Sequence, residues 1–467
     1  MTLVACVDFG STFTKALLVD LDTARLVATT EARTTVHTDV LDGWVHCRDA
    51  LVRTDQAAAS ADVLACSSAG GGLRVAVVGN EALVTAEAGR RVALGSGGRV
   101  VHVVGGGLDG DRVETLRATA PDLVLLVGGT DGGNTAVITG AAHALADARW
   151  QGPVVVAGNA DAADAATTAL RAGGVPHDLA DNVVPRIGVL APDGARVAIR
   201  EAFLRHVIGG KHLSRSDDFT AMLTGPTPDA VLTGVELLAA AAGDVAVVDV
   251  GGATTDVYSV VELDPEDAGL ARQVVAPTRV TRTVEGDLGM RWSATSTVRE
   301  GVAAGLLDAD NSGALTAAAD RRNSEPDYVP TDAHGHADDQ QIAGLAVELA
   351  LRRHAGRQRV ALGPDGRVVE RSGRDLREIA LLVGSGGALR HAPADVAAEL
   401  LTRATGVDVP GGWLVPRAPR VMVDRTYVLV AAGLLARTHP DVANALLATQ
   451  LIDSEGRRPA DGGRMRP

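Results

Sequence analysis

Short apolar runs of Val, Leu and Ala recur along this chain, separated by stretches of helical pattern. Runs without polar alternation read as strands buried on both faces, and their alternation with helices marks an α/β protein. Strands are expected at Leu3–Phe9, Ala16–Asp20, Val75–Val78, Val100–Val104, Leu123–Val127, Val154–Ala157, Val245–Asp249, Val257–Val260 and Ile379–Val383. Helices are expected at Thr135–Ala148, Ala160–Ala172, Pro228–Ala242 and Pro393–Thr405. Pro228 opens the third helix and Gly243 follows its last residue, the usual bracketing of a helix. Four Phe, four Trp and three Tyr in 467 residues force the core to be built from small aliphatic side chains. Residues 296–360 read as a helical insertion with a loop-like centre at Asn323–His336. The segment Asp453–Pro467 has no apolar period and is expected to fray.

The net charge of −14 argues against a general nucleic-acid binder or an anionic-membrane binder, both of which need a basic face. No apolar run approaches the ~20 residues of a membrane span. Cys6, Cys47 and Cys66 make no CxxC pair and no even framework, which fits a reducing compartment without a zinc or disulfide scaffold. The first residues are patterned as a strand rather than a signal peptide. A cytoplasmic protein with neither nucleic-acid nor membrane partners is therefore expected. His334 and His336, with Asp332, Asp338 and Asp339, lack zinc-site spacing and read as a solvated loop.

Three glycine-rich turns follow apolar strands. In Cys6-Val7-Asp8-Phe9-Gly10-Ser11-Thr12-Phe13-Thr14-Lys15 a strand ends in an acid, turns at Gly10 and returns as a second strand. Successive N–H groups and hydroxyls around Gly10, Ser11 and Thr12 form an anion-binding concavity. Asp8 is placed to hold Mg²⁺ through water, the usual way that ion is kept. Lys15 is one of only two lysines among 44 basic residues. It is suited to neutralising phosphate charge, or equally to reaching solvent from its strand. Val247-Val248-Asp249-Val250-Gly251-Gly252-Ala253-Thr254-Thr255-Asp256 repeats the design, with Gly251, Gly252, Thr254 and Thr255 as phosphate-facing candidates. Two such hairpins facing each other would clamp a triphosphate and its metal from both sides. The third turn, Gly384-Ser385-Gly386-Gly387, opens a helix and would let a flat group approach the backbone. It lacks the GxGxxG spacing of a dinucleotide loop.

The order of these turns resembles the phosphate-1, phosphate-2 and adenosine motifs of the actin, sugar-kinase and heat-shock-chaperone ATPase superfamily. That likeness implies two ribonuclease-H-like halves closing over ATP and Mg²⁺. Asp8 and Asp249 would be the catalytic and metal-holding acids, and Gly384–Gly387 would face adenosine. The helices Pro228–Ala242 and Ala431-Ala432-Gly433-Leu434-Leu435 would be the small-residue elements that cross at the hinge. The implied division is a first half at 1–240, with a family-specific region near 62–205, and a second half at 241–467 carrying the helical insertion.

Longer motifs narrow the likeness: Ser67-Ser68-Ala69-Gly70-Gly71-Gly72-Leu73, Val127-Gly128-Gly129-Thr130-Asp131-Gly132-Gly133-Asn134, Ala157-Gly158-Asn159 and Arg282-Thr283-Val284-Glu285-Gly286-Asp287-Leu288-Gly289-Met290-Arg291. They resemble the MutL-type accessory family of adenosylcobalamin-dependent glutamate (methylaspartate) mutase, unrelated to the DNA-repair protein of the same name. The resemblance implies a slow ATPase acting as a chaperone of mutase subunits, releasing damaged cobalamin so that fresh cofactor binds. Asp131, Glu285 and Asp287 are further site candidates, each with a plain turn as its alternative. Rival readings on the same core are a small-molecule kinase, a hydantoinase-like ATP-dependent hydrolase, and a non-hydrolysing nucleotide-bound scaffold. Ala253 stands where chaperone relatives commonly carry a third glycine, which points to weak hydrolysis.

Overall fold

The computed structural model describes residues 2–263, 278–363, 366–407 and 409–453. The fraying expected after Asp453 falls almost wholly outside them. The chain opens with β1 (Leu3–Phe9), β2 (Phe13–Asp20), β3 (Arg25–Arg33) and β4 (Asp62–Ser67). A separate sheet follows, built from β5 (Leu73–Gly79), β6 (Gly98–Gly105), β7 (Leu123–Leu126), β8 (Val154–Val156) and β9 (His177–Leu179). The chain then returns to the first sheet through β10 (Leu223–Pro226), giving the order β10-β4-β1-β2-β3.

Next come β11 (Val245–Val250), β12 (Thr255–Val260) and β13 (Val280–Glu285), the hairpin β14 (Arg357–Gly363) and β15 (Gly366–Ser372), then β16 (Leu381–Ser385) and β17 (Arg420–Val423). Their sheet runs β13-β12-β11-β16-β17. Strand for strand it repeats the first. A leading strand pairs antiparallel with the next, that one antiparallel with the third, and two later strands add in parallel on the other side. This is the ribonuclease-H-like arrangement twice over. The sheet between them is all parallel, in the order β6-β5-β7-β8-β9.

Period-two alternation assigns each strand face to a layer. Leu3, Ala5, Val7 and Phe9 of β1 enter a core shared with one face of the parallel sheet, through Val75, Val77, Leu123 and Leu125. Val4 and Cys6 enter the core between the two halves, where Val245, Val247, Leu381 and Val383 arrive from the opposite sheet. Ala246, Val248 and Leu382 turn the other way, onto the helices of the insertion. The other face of the parallel sheet is covered by its own helices. All three cysteines are free and buried, and burial pushes the Cys6 thiol up to about 12.

Several strands carry no plain signal. β3 is a charged edge strand with mostly half-exposed residues, and β10 contains Gly225 and Pro226, residues tolerated at an edge. The insertion is helical at Ala294–Ala303, Gly313–Ser324 and Ala333–His354, so its expected loop centre is shorter than Asn323–His336. Asp332 accepts the Gly335 N–H at 2.7 Å and starts the last helix inside the acid- and His-bearing run. Among the described residues no helix is long and apolar enough to cross a membrane.

Two helices lie in the central layer. Thr227–Ala242 starts with Pro228 in its first turn and stops at Gly243, whose φ of 84° suits glycine. Val428–Leu435 is buried along its whole length, and the Asp424 carboxylate accepts the Val428 and Leu429 N–H groups at 2.7 and 3.0 Å. The two cross backbone to backbone. A Cβ at Gly433 would overlap the Ala230 carbonyl oxygen, and one at Gly234 would overlap that of Leu429.

Away from this crossing, the parallel sheet is tied to the second half by Arg282 on β13. Its Nη1 donates to the Leu94 and Gly98 carbonyls at 3.0 and 2.9 Å, while Nη2 donates to Asp256 at 3.1 Å.

Gly433→Ala is expected to destabilise the protein by about 1–3 kcal/mol through overpacking at the crossing. Gly140→Ala, whose Cβ meets open space at an exposed position within the helix Ala136–Asp147, should instead stabilise by about 0.5–1 kcal/mol. Urea midpoints of the two variants check the pair; similar midpoints would remove the close crossing.

Candidate functional site: two acid-bearing hairpins across a helix pair

The turns joining β1 to β2 and β11 to β12 close in the same way. The Gly10 N–H donates to the Phe13 carbonyl at 3.2 Å, and the Gly251 N–H donates to that of Thr254 at 2.9 Å. A Cβ would stand 2.6 Å from the first acceptor and 2.9 Å from the second, so both turns require glycine. The acid lies two residues before each glycine, and register sets Asp8 opposite Lys15 and Asp249 opposite Asp256. The turns face each other, with the Cβ position of Gly252 3.8 Å from the Thr12 Oγ1.

Asp8 is buried and heavily bonded. Its Oδ1 accepts the Thr227 hydroxyl at 2.5 Å, and its Oδ2 accepts the Tyr427 hydroxyl at 3.1 Å. Lys15 Nζ lies 3.6 Å from Oδ2 and 3.9 Å from the centroid of the Tyr427 ring. Asp249 keeps a partial opening. Burial pushes its carboxyl up to about 6; Lys15 opposes that shift, whereas the Asp256, Asp8 and Asp424 carboxylates reinforce it. The site therefore holds more negative charge than its single lysine balances.

β16 brings the third turn alongside, with Ser385 in register with Asp249 and Gly384 with Val248. Gly386 has φ 88°, and a Cβ there would overlap the Val250 carbonyl, so the turn presses on the second hairpin. Gly387 then starts the short helix Gly387–Arg390. Arg390 reaches Glu31 on β3 at 3.6 Å and lies over the Tyr427 ring at 5.0 Å, and Arg33 pairs with Asp327 at 2.5 Å. Both ion pairs cross from the first half to the second.

Not every expected residue converges here. Thr255 is buried, and its hydroxyl donates to the Leu288 carbonyl at 3.1 Å. Arg291 and Met290 donate backbone N–H groups to the Gly252 and Gly251 carbonyls at 2.7 and 3.0 Å, which seats the 285–291 segment on the second hairpin. Glu285 and Asp287 of that segment are occupied by Arg353, at 2.9 and 2.8 Å. Asp131 lies among the loops of the parallel sheet. Its carboxylate accepts the Ala160 N–H at 3.0 Å and the Asn182 amide at 2.8 Å, a bracing role between loops.

Thr227, Arg390, Asp424 and Tyr427 belong to the site but carry no motif. Tyr427 had one available signal: it is one of three tyrosines, the same rarity that singles out Lys15.

Two equivalent sheets, each presenting an acid-bearing glycine hairpin to the other across a crossing helix pair, define an actin-like fold. The MutL protein family matches residues 4–451, and the chain belongs to that family. Protein MutL of Clostridium tetanomorphum is 34% identical over 455 residues, spanning 95% of this chain and 98% of that protein. Among solved structures, nucleotide-free acetone carboxylase aligns over 93% of this chain and 70% of its own, at 14% identity and TM-score 0.41. The ethanolamine utilization protein EutJ of Carboxydothermus hydrogenoformans aligns over 96% and 90%, at 10% identity and TM-score 0.27. The strand topology alone defines the fold.

A carboxyl raised above its unfolded value favours the folded state when protonated, so its contribution is lost as pH rises through the folded pKa. Asp249→Asn should therefore stabilise the ligand-free, metal-free protein above about pH 6, by roughly 1–3 kcal/mol. The gain should vanish toward pH 4. Thermal midpoints of variant and parent across that range check the sign.

Proposed function

We propose that this protein binds Mg²⁺-ATP between its two halves, hydrolyses it slowly, and uses the cycle to maintain an adenosylcobalamin-dependent mutase of the glutamate mutase type. The observation that carries the reading is the duplicated hairpin: two acids and two glycine turns facing each other, in a chain of the MutL family.

The donor set fits a hydrated magnesium ion. Among the described residues no three metal-ligating side chains converge, and magnesium is usually kept by one or two carboxylates and water. Asp8 and Asp249 would hold that ion, and their surplus negative charge suits a cation. When bound, the ion would offset triphosphate charge. With the Gly10 and Gly251 N–H groups committed to closing their turns, the N–H groups of Ser11–Thr12 and Gly252–Thr254 would hold the phosphate oxygens, and Lys15 would move from Asp8 toward them. Gly386 and Gly387 would face the adenosine. Hydrolysis requires mainly positioning and charge neutralisation, which this rigid pair of turns supplies.

In this reading the chain divides near residue 240, and the region 62–205, which contains the parallel sheet, meets the mutase or its cobalamin-bearing subunit. Nucleotide state would alter the halves' approach and so the affinity for that partner, by roughly 5–150-fold for ordinary allosteric coupling. Exchange of damaged cobalamin for fresh cofactor follows from that change.

Calorimetry should show Mg²⁺-ATP binding in the micromolar range, about −8 kcal/mol, and the double change Asp8→Ala with Asp249→Ala should abolish its metal dependence. A mutase inactivated with a tight cobalamin analogue supplies the functional assay. This protein with Mg²⁺-ATP and adenosylcobalamin should restore its activity; omitting ATP, or using Asp249→Ala, should not. Equal recovery in all three mixtures would overturn the reactivating role. Turnover that appears only with a small hydroxylated substrate would favour a kinase.

A further inference from the structure

The Asp8 carboxylate receives one hydroxyl from each of the two crossing helices, and the sequence motifs name neither donor. Thr227 is the first residue of the helix Thr227–Ala242 and donates to Oδ1 at 2.5 Å. Tyr427 immediately precedes the helix Val428–Leu435 and donates to Oδ2 at 3.1 Å. Both hydroxyl oxygens reach a carboxylate that is 1% exposed.

We propose that Thr227 and Tyr427 are positioning residues that fix the Asp8 carboxylate and tie its orientation to the crossing of the two helices. The inference rests on the nucleotide reading above and names the groups that regulate that site.

Three features support this role beyond the two hydrogen bonds. First, an ionised carboxylate offers about four acceptor directions. The Thr227 hydroxyl and, at 3.7 Å, the buried Cys66 thiol address Oδ1, while the Tyr427 hydroxyl and Lys15 address Oδ2, and the one hydroxyl on each oxygen fixes the plane of the group. Second, Tyr427 is held in the left-handed region at φ 63°, an uncommon conformation for an aromatic residue, and strained backbone of this kind collects at functional sites. The Asp424 carboxylate sustains it by capping the next two N–H groups, at 2.7 and 3.0 Å. Third, the face of the Tyr427 ring lies under Lys15, so one side chain orients both the acid and the cation paired with it.

The helices touch backbone to backbone at Gly234 and Gly433, so neither can slide without shifting its hydroxyl relative to Asp8. Movement of the halves would thus be converted directly into a change at the acid.

The test is ATP affinity measured by calorimetry with and without Mg²⁺, on the full chain, with melting temperature recorded in parallel. Tyr427→Phe keeps the ring under Lys15 and removes only the hydroxyl. It should reduce the Mg²⁺ enhancement of ATP binding, the ratio of the affinities with and without the ion, about tenfold. Thr227→Val removes the other donor at similar volume and should act in the same direction, which keeps the test open if the Tyr427 variant fails to fold. Tyr427→Leu, which also removes the ring, should weaken metal-free ATP binding as well. A lowered melting temperature with unchanged Mg²⁺ enhancement in Tyr427→Phe or Thr227→Val would reduce these hydroxyls to packing and overturn the inference alone. A parent protein that binds no ATP would overturn the nucleotide reading, and this inference with it.

Discussion

Contact between two helix backbones sets the spacing of everything else in the molecule. Gly234 and Gly433 each face a carbonyl of the other helix, and a methyl group at either place would overlap it. Because the helices touch, the sheets on either side share one thin layer of Val, Leu and Ala, and their leading strands point their acids into the same space. Larger side chains at the crossing would part the sheets and separate Gly252 from Thr12. The scarcity of aromatic residues is consistent with this design, since a core of small aliphatics packs at normal density only when backbones come close.

Charge is arranged around the same layer. Asp8, Asp256 and Asp424 all act electrostatically on Asp249, Lys15 opposes them, Arg282 pairs with Asp256, and Arg390 acts on Asp424. Burying carboxylates is costly unless they are paired or hydrogen-bonded. Asp8 meets that condition through two hydroxyls and Lys15, Asp256 through Arg282, and Asp424 through two helix N–H groups. Asp249 alone is left largely to itself, which is why burial dominates its proton affinity.

Much of this was legible from the amino-acid sequence because it rests on local pattern. Buried strands declare themselves through short, largely apolar runs, and β1, β2, β5, β7, β11, β12 and β16 each carry one. The Asp–Gly turns are visible because glycine and acid sit at fixed offsets from the strand. β3, β10 and β13 were not legible, since edge strands carry charge, Gly or Pro and owe their conformation to a neighbour. Nor were Thr227 and Tyr427, which reach Asp8 only after the chain has folded across separations of 219 and 419 residues. Glu285 and Asp287 show the converse: a suggestive run of acids and glycines whose charges are taken up by Arg353, from a helix far along the chain.

The parallel sheet is covalently continuous with the first half, yet Arg282 anchors its Leu94–Gly98 turn to the second. It therefore behaves as a strap laid over a joint, with one end sewn to each side. Any rotation of one half against the other must stretch, slacken or release that attachment, and the same guanidinium that holds it also holds Asp256, the cross-strand neighbour of Asp249. A molecule gripping the helices that cover the outer face of the sheet would have mechanical leverage on the acid in the cleft without touching it.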